Sequence, residues 1–308
     1  MAKKMQTEMT SCVLCPRACG IDRTQGAHGV CGETATVRLA RAALHFWEEP
    51  CISGSAGSGT VFFTGCQLRC VYCQNQPIAH GSVGKAVTLD RLVDIFFELA
   101  QKGANNINLV TPDHFIPQIA QAIRMARARG LTLPFVYNTG SYVTVEALRM
   151  LEGLIDIYLP DLKYLDAAHA SDYSGAWDYP QVAKAALQEM YRQVGAPVFA
   201  DVAGEEEPML RRGMIVRHLL LPGALEDAKR IVAYIYETYA DDVYMSLMSQ
   251  YTPSQAVAGH PLLRRKVRKK DYEALVDEAI RLGVEHAFIQ EGSAADESFI
   301  PAFDYEGV

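Results

Sequence analysis

Cysteine is absent from residues 74–308 of this 308-residue chain, although the chain contains eight. That distribution excludes a disulfide framework, which staples a small secreted domain along its whole length. Seven of the eight thiols instead fall into two tight groups with ligand-like spacing, and reduced thiols binding metal in a cytosol are the expectation. Long apolar runs are also missing. No stretch approaches the roughly 20 residues that span a bilayer, and Met1-Ala2-Lys3-Lys4-Met5-Gln6 leads into polar residues rather than an apolar signal core. A soluble, cytoplasmic protein with no membrane partner is expected. Positive charge is not in excess either: the net charge of -7 argues against a general nucleic-acid footprint. The run Arg264-Arg265-Lys266-Val267-Arg268-Lys269-Lys270 reads as a solvated loop before a helix starting near Asp271 rather than as a phosphate-binding patch. With 49% hydrophobic and 21% charged residues, the chain has the composition of an ordinary globular protein. Its length suits one α/β barrel domain with a sizeable core.

From Thr60 onward, short β-branched or aromatic runs alternate with longer helical patterns, the signature of βα units around a parallel sheet. Strands are expected at Thr60 to Phe63, Ile107 to Val110, Pro134 to Tyr137, Ile155 to Leu159, Met214 to Leu220, Val243 to Met248 and His286 to Gln290. Helices are expected at Leu89 to Gln101, Ile116 to Ala128, Val145 to Leu151, Gln181 to Val194, Leu225 to Tyr239 and Tyr272 to Leu282. In the first of these, Leu92, Ile95, Phe96 and Leu99 recur at helical spacing behind the cap candidate Thr88. Six or seven such units predict an open or partial barrel. Residues 1–59 break the rhythm and read as a small cysteine-rich, metal-binding lobe, and residues 60–308 as the barrel with a C-terminal extension. Gly54-Ser55-Ala56-Gly57-Ser58-Gly59 reads as a flexible connector that also permits a tight approach over the site.

Chemistry in βα barrels gathers at the C-terminal ends of the strands. Cys66, Cys70 and Cys73 stand there after the run Val61-Phe62-Phe63, at C-x3-C-x2-C spacing. Three thiolates hold three irons of a four-iron cluster, which usually takes four cysteines, so one iron stays open to a non-protein ligand. The alternative is a zinc knuckle completed by His80 or another cysteine. Further strand-end groups have structural alternatives of their own. Asn138-Thr139-Gly140 can be a plain turn, Asp161 and Lys163 share a face and can form a structural ion pair, and Arg217 and His218 must point to opposite faces of a regular strand.

With Tyr72 directly before the last cysteine, the loop Gly65-Cys66-Gln67-Leu68-Arg69-Cys70-Val71-Tyr72-Cys73-Gln74-Asn75 resembles the radical SAM superfamily, whose motif is C-x3-C-x-aromatic-C. The resemblance implies a partial (β/α)6-type barrel, a [4Fe-4S] cluster on Cys66, Cys70 and Cys73, and S-adenosylmethionine chelating the fourth iron. It also implies reductive cleavage to a 5'-deoxyadenosyl radical that abstracts hydrogen, with an electron donor such as flavodoxin or ferredoxin. Residues 45–260 are similar to the branch containing pyruvate formate-lyase activating enzyme. This similarity is carried by Asn138-Thr139-Gly140, Asp161-Leu162-Lys163 and Arg217-His218-Leu219-Leu220-Leu221-Pro222-Gly223. By that resemblance Tyr72, Asn138 and Thr139 face the cofactor, Asp161 and Lys163 line the reaction centre, and Arg217 pairs with a carboxylate. The substrate is then a glycyl radical partner protein. In two places the chain departs from the pattern. The usual Gly-Gly-Glu after the second strand is Val110-Thr111-Pro112-Asp113-His114, where Thr111 or Asp113 takes over the ammonium contact. The acid that helps hold a monovalent cation after the third strand is missing. A small molecule or an RNA nucleotide is the alternative substrate, and a non-catalytic zinc-stabilised binding protein is the alternative of another class.

Cys12, Cys15, Cys19 and Cys31 form C-x2-C-x3-C-x11-C among glycines. Four ligands so close make a closed site, for structural zinc or for an auxiliary iron-sulfur cluster, which spacing does not separate. Cys51 reads as a buried small residue. His45, Glu48 and Glu49 read as one charged surface helix turn, with a contribution to a substrate cavity as the alternative, and Gln250 and Tyr251 as substrate contacts or a polar strand exit. Trp177 and Tyr179 read as part of an exposed loop that docks a partner or caps the core.

Overall fold

The computed structural model describes residues 9–290 and 301–308. Its frame is a mixed sheet whose strands are β1 (Arg38–His45), β2 (Ser58–Phe63), β3 (Lys85–Ala86), β4 (Ile107–Val110), β5 (Phe135–Thr139), β6 (Ile157–Pro160), β7 (Val198–Ala200), β8 (Met209–Leu219), β9 (Tyr244–Met248) and β10 (Ala287–Ile289). The hydrogen-bonded order is β10-β9-β8-β6-β5-β4-β2-β1-β3, with β7 paired to β8 alone. Every pairing from β2 through β4, β5, β6, β8 and β9 to β10 is parallel. The order ends at β10 and β3, so the sheet curls without closing, as the partial barrel requires. Strands β2, β4, β5 and β6 are buried at every position. Unbroken apolar runs therefore mark them in the sequence, where a one-faced sheet would show alternation.

Helices return the chain between the parallel strands: α1 (Leu89–Gln101), α2 (Ile116–Ala128), α3 (Ala167–Ser174), α4 (Tyr179–Val194), α5 (Leu225–Tyr239) and α6 (Lys269–Leu282). In α1 the Thr88 hydroxyl accepts from Arg91 N, capping the first turn. Leu92, Ile95, Phe96 and Leu99 are all buried, and the Phe96 ring meets Phe135 of β5 edge-on at 5.3 Å. Among the described residues no helix is long and apolar enough to cross a membrane.

Three elements differ from the expectation. Strand β1 comes from within residues 1–59, the stretch read as a separate lobe, and pairs antiparallel with β2. The stretch read as a flexible connector is short and ordered: Gly57 N donates to Ser53 O, and Ser58 and Gly59 already belong to β2. The edge of β2 away from β4 needs a partner for its backbone groups, and β1 supplies it. The loop containing Asp172 and Tyr173 is the end of helix α3, and Tyr179 is fully buried while Trp177 is 70% exposed. On the outer edge of β1 the chain's last described residues add backbone bonds, Tyr305 N to Ala40 O at 3.1 Å and Ala42 N to Glu306 O at 2.8 Å.

Candidate active site at the strand ends

The cluster loop leaves β2 through Gly65, whose φ is 80°. A Cβ there would stand 2.7 Å from Cys31 O and 2.5 Å from Glu33 Cγ, so only glycine lets the loop approach the N-terminal segment. Cys66 N donates to Cys31 O at 3.1 Å, which ties the two cysteine groups together. Downstream, Cys73 N bonds back to Cys70 O at 3.0 Å and Val71 N to Tyr173 O at 2.9 Å. The three thiols thereby share one wall of a cavity of about 260 Å³. Burial pushes the Cys66 thiol up to about 11 and the Cys73 thiol up to about 12. A bound cationic centre is what would turn them into thiolate ligands.

The opposite wall is built from successive strand ends. Thr111 and Asp113 follow β4, Asn138 ends β5, Asp161 and Lys163 follow β6, and Arg217 lies in β8; all six line the cavity. Arg217 is the hub: its Nε donates to Asp161 Oδ1 at 3.0 Å, Nη1 to Glu48 Oε2 at 3.1 Å and Nη2 to Asn138 Oδ1 at 2.6 Å. Lys163 Nζ holds the other Asp161 oxygen at 2.7 Å. Burial disfavours the Asp161 carboxylate, but Lys163 and then Arg217 outweigh it and hold its carboxyl below the ordinary value. For Glu48 the balance is reversed, and burial lifts its carboxyl despite Arg217. Asp113 is also raised by burial, against hydrogen bonds from Thr139, Gln67 and Tyr137.

Most of the strand-end residues singled out in the sequence converge on this cavity; Thr139, His218 and Tyr251 do not. Thr139 is 1% exposed and turns its hydroxyl to Asp113 Oδ1 at 2.6 Å, behind the cavity wall. Thr111 adopts a left-handed φ of 56° directly after β4, a conformation that residues other than glycine rarely take. The carboxylates that Arg217 meets are the chain's own. His218 is buried on the other face of β8, its Nδ1 2.8 Å from Leu162 O, as strand alternation demands. Glu48 lines the cavity, the alternative that the sequence offers beside its preferred surface turn. Its Oε1 accepts from Asn108 Nδ2 at 3.0 Å and its Oε2 from Arg217. Its signal was the acid pair before Pro50, which has meaning only once β1 is known to lie beside β2. Gln250 lines the cavity, whereas Tyr251 is core, 1% exposed and donating to Leu263 O at 2.5 Å. Cys51 is half-buried beside the minor core cluster of Ile52, Val136 and Ile157.

The donor set fits an iron-sulfur cluster with a chelated amino-acid cofactor. Three thiols face a cavity whose far side offers cations for a carboxylate and acceptors for an ammonium. Asp113 Oδ2, beside the Gln67 amide, completes no hydrogen bond of its own. Among the described residues no three His, Cys, Asp or Glu side chains close around a single metal ion. In the N-terminal group, Cys12, Cys15 and Cys31 are buried and Cys19 half-buried, all as free thiols.

Residues 60–195 match the model of the Radical SAM superfamily. An uncharacterized protein of Methanocaldococcus jannaschii is 23% identical over 274 residues, covering 87% of this chain and 73% of that protein. The fold is similar to that of a radical SAM methyltransferase from Sphaerobacter thermophilus, with a TM-score of 0.53 at 12% identity over 77% of this chain and 67% of the other. SuiB of Streptococcus suis, bound to S-adenosylmethionine, aligns with a TM-score of 0.49 at 13% identity over 74% of this chain and 48% of that one. Residues 60–195, from the strand that launches the three-cysteine loop to the end of α4, form a radical SAM superfamily domain.

Proposed function

We propose that this protein is a radical SAM enzyme that cleaves S-adenosylmethionine reductively and abstracts a hydrogen atom from its substrate. The carrying observation is the convergence of Cys66, Cys70 and Cys73 with Asp113, Asn138, Asp161, Lys163 and Arg217 on one cavity. The cluster and cofactor together supply an electron and a 5'-deoxyadenosyl radical. The chain's own residues hold and shield them. Cys66, Cys70 and Cys73 ligate three irons, leaving one for the cofactor's amino and carboxylate groups. Asp113 Oδ2 and the Thr111 backbone receive the ammonium. Asn138 is fixed by Arg217 and orients the ribose side. Asp161, kept ionised by Lys163 and Arg217, and Lys163 itself present charge at the reacting end, where the low dielectric strengthens it. A flavodoxin or ferredoxin in the cytoplasm is the electron source of this reading.

The test is anaerobic. The chain is reconstituted with iron and sulfide, reduced and supplied with S-adenosylmethionine, and 5'-deoxyadenosine is measured. Cys70→Ala abolishes its formation, at least 100-fold below wild type, with the fold retained by circular dichroism. Cleavage that survives this substitution, or zinc in place of iron, rejects the reading. For the substrate we propose a glycine of a partner protein, on the resemblance of the strand-end segments. Transfer of deuterium from a labelled glycyl peptide into 5'-deoxyadenosine tests it, and absence of transfer removes that peptide. Cys12, Cys15, Cys19 and Cys31 are proposed to hold a second thiolate-bound metal centre, zinc or iron-sulfur, that braces the cluster loop through the Cys31–Cys66 backbone bond. Metal analysis of a chain lacking Cys66, Cys70 and Cys73 distinguishes the two.

A further inference from the structure

We propose that Ser174, backed by Tyr164 and Tyr72, is a positioning residue that sets the reduction potential of the iron-sulfur group held by Cys66, Cys70 and Cys73. The inference rests on the reading of the three cysteines as cluster ligands. Ser174 Oγ lies 3.0 Å from Cys70 Sγ. Tyr164 OH is 2.9 Å from Ser174 Oγ, and Tyr72 OH is 2.6 Å from Tyr164 OH. Among the described residues, Cys70 is the cluster-loop cysteine whose sulfur accepts from a hydroxyl. The whole chain of hydroxyls is shut off from water: Cys70 is 7% exposed, Tyr72 6%, Ser174 4% and Tyr164 1%.

Proton counting gives the chain a direction. An iron-bound thiolate can only accept, so Ser174 commits its single proton to the sulfur. Its oxygen is then free to accept from Tyr164, whose phenol packs in turn against that of Tyr72. Because each bond polarises the next, the terminal O–H···S bond is stronger than an isolated one.

The backbone holds this geometry. Ser174 is the last residue of α3, which Gly175 ends with a φ of 56°. Arg17 clamps the turn: its Nη2 donates to Ser174 O at 2.8 Å, its Nη1 to Gly175 O at 2.5 Å and its Nε to Gln67 O in the cluster loop at 3.0 Å. Reduction adds a negative charge to the cluster, and hydrogen bonds to the sulfurs stabilise the more negative state. The hydroxyl chain therefore raises the potential and makes the cluster easier to reduce. Tyr72 lines the cavity, whereas Ser174 and Tyr164 do not, so substitutions at these two leave the cavity lining unchanged.

The experiment is a redox titration of the reconstituted full-length protein followed by electron paramagnetic resonance. Ser174→Ala should lower the midpoint so that, at a fixed applied potential, the reduced-to-oxidised ratio falls roughly tenfold, ~59 mV for a one-electron couple. Tyr164→Phe, which deletes only the second hydroxyl, should shift it the same way by less. Ser174→Thr keeps the donor and should restore the wild-type midpoint. An unchanged midpoint in Ser174→Ala with its iron content and signal intact overturns the proposal. If that variant fails to hold iron, an unchanged midpoint in Tyr164→Phe overturns it equally. A wild-type chain that takes up no iron strikes down the cluster reading itself, whereas a loaded chain with unmoved potentials strikes down only the role of Ser174.

Discussion

At the scale of single residues, the site depends on how Arg217 is satisfied. Its guanidinium fork meets Asp161, Glu48 and Asn138, with side chains 13% exposed for Arg217, 19% for Asp161 and 10% for Glu48. Removing one member of such a buried set leaves charge behind without a partner. Arg217→Met should therefore cost ~3–5 kcal/mol in urea unfolding. The loss should be pH-dependent, with a sign that follows from Glu48. Its folded-state carboxyl is raised by burial even with Arg217 present, so without the cation the folded form holds its proton more tightly. The penalty then grows as pH rises above the ordinary carboxyl value, because the unfolded chain ionises first. Unfolding at pH 5 and at pH 8 should show the variant weaker at pH 8; equal losses would mean that Glu48 carries no charge that Arg217 relieves. Sequence alone singled out Asn138, Asp161, Lys163 and Arg217 near the C-terminal ends of parallel strands, and all four line the cavity. It could not settle the place of Glu48, which arrives from the antiparallel strand β1, nor see that Thr139 turns inward to Asp113, since that depends on which face of β5 the cavity occupies.

At the scale of elements, helix α3 shows how a short segment escapes pattern reading. Ala167-Ala168-His169-Ala170-Ser171-Asp172-Tyr173-Ser174 buries only Ala170, Tyr173 and Ser174, too few positions for a 3.6-residue period to emerge. Its ends were legible in principle. Asp166 accepts from Ala168 N at 2.8 Å and His169 N at 3.3 Å, and Gly175 closes the last turn. Strand β1 was hidden for a related reason: Arg38-Leu39-Ala40-Arg41-Ala42-Ala43-Leu44-His45 is buried in pairs rather than alternately, and alanine is a poor strand marker. The parallel strands, rich in valine, isoleucine and phenylalanine, lie within two residues of the expected bounds except β8, which begins at Met209 instead of Met214. Because α3 depends on its cap, Asp166→Ala should destabilise the protein by ~1 kcal/mol. Asp166→Asn, which keeps an acceptor, should recover most of the loss. Thermal melts followed by circular dichroism check this: at about 250 residues or more, 1 kcal/mol corresponds to a fall of a few degrees at most. Identical melting of the wild type and Asp166→Ala would show that α3 is held by Arg17 and the cluster loop alone.

At the scale of the whole molecule, a buried crossing of Arg23 and His114 is one of the joints between the N-terminal segment and the barrel. Arg23, 1% exposed, donates from Nη1 to His114 O at 2.6 Å and from Nη2 to Thr34 O at 2.7 Å. The His114 ring is itself buried after β4, with Nε2 2.6 Å from Thr64 O and no partner for Nδ1. Nε2 therefore donates to the carbonyl, and a proton on Nδ1 would have nowhere to go. Burial, reinforced by the Arg23 cation, pushes the imidazole down to about 3. The unfolded chain, with an ordinary imidazole, takes up a proton below about 6.5, so between pH 6.5 and pH 3 it binds one proton more than the folded protein. Stability must fall as pH falls through that window, by up to ~1.4 kcal/mol per pH unit from this group. His114→Gln keeps a donor for Thr64 O but cannot titrate, and should flatten the acid limb by that amount. His218 and His45, also lowered by burial, act in the same direction, and the raised carboxyls of Glu48 and Asp113 in the opposite one, so it is the difference between the wild type and His114→Gln that isolates this histidine. Urea midpoints measured across that window should diverge for the wild type and converge for the variant. Parallel slopes would mean that His114 gains a proton without unfolding, and that the joint between the N-terminal segment and the barrel opens locally in acid.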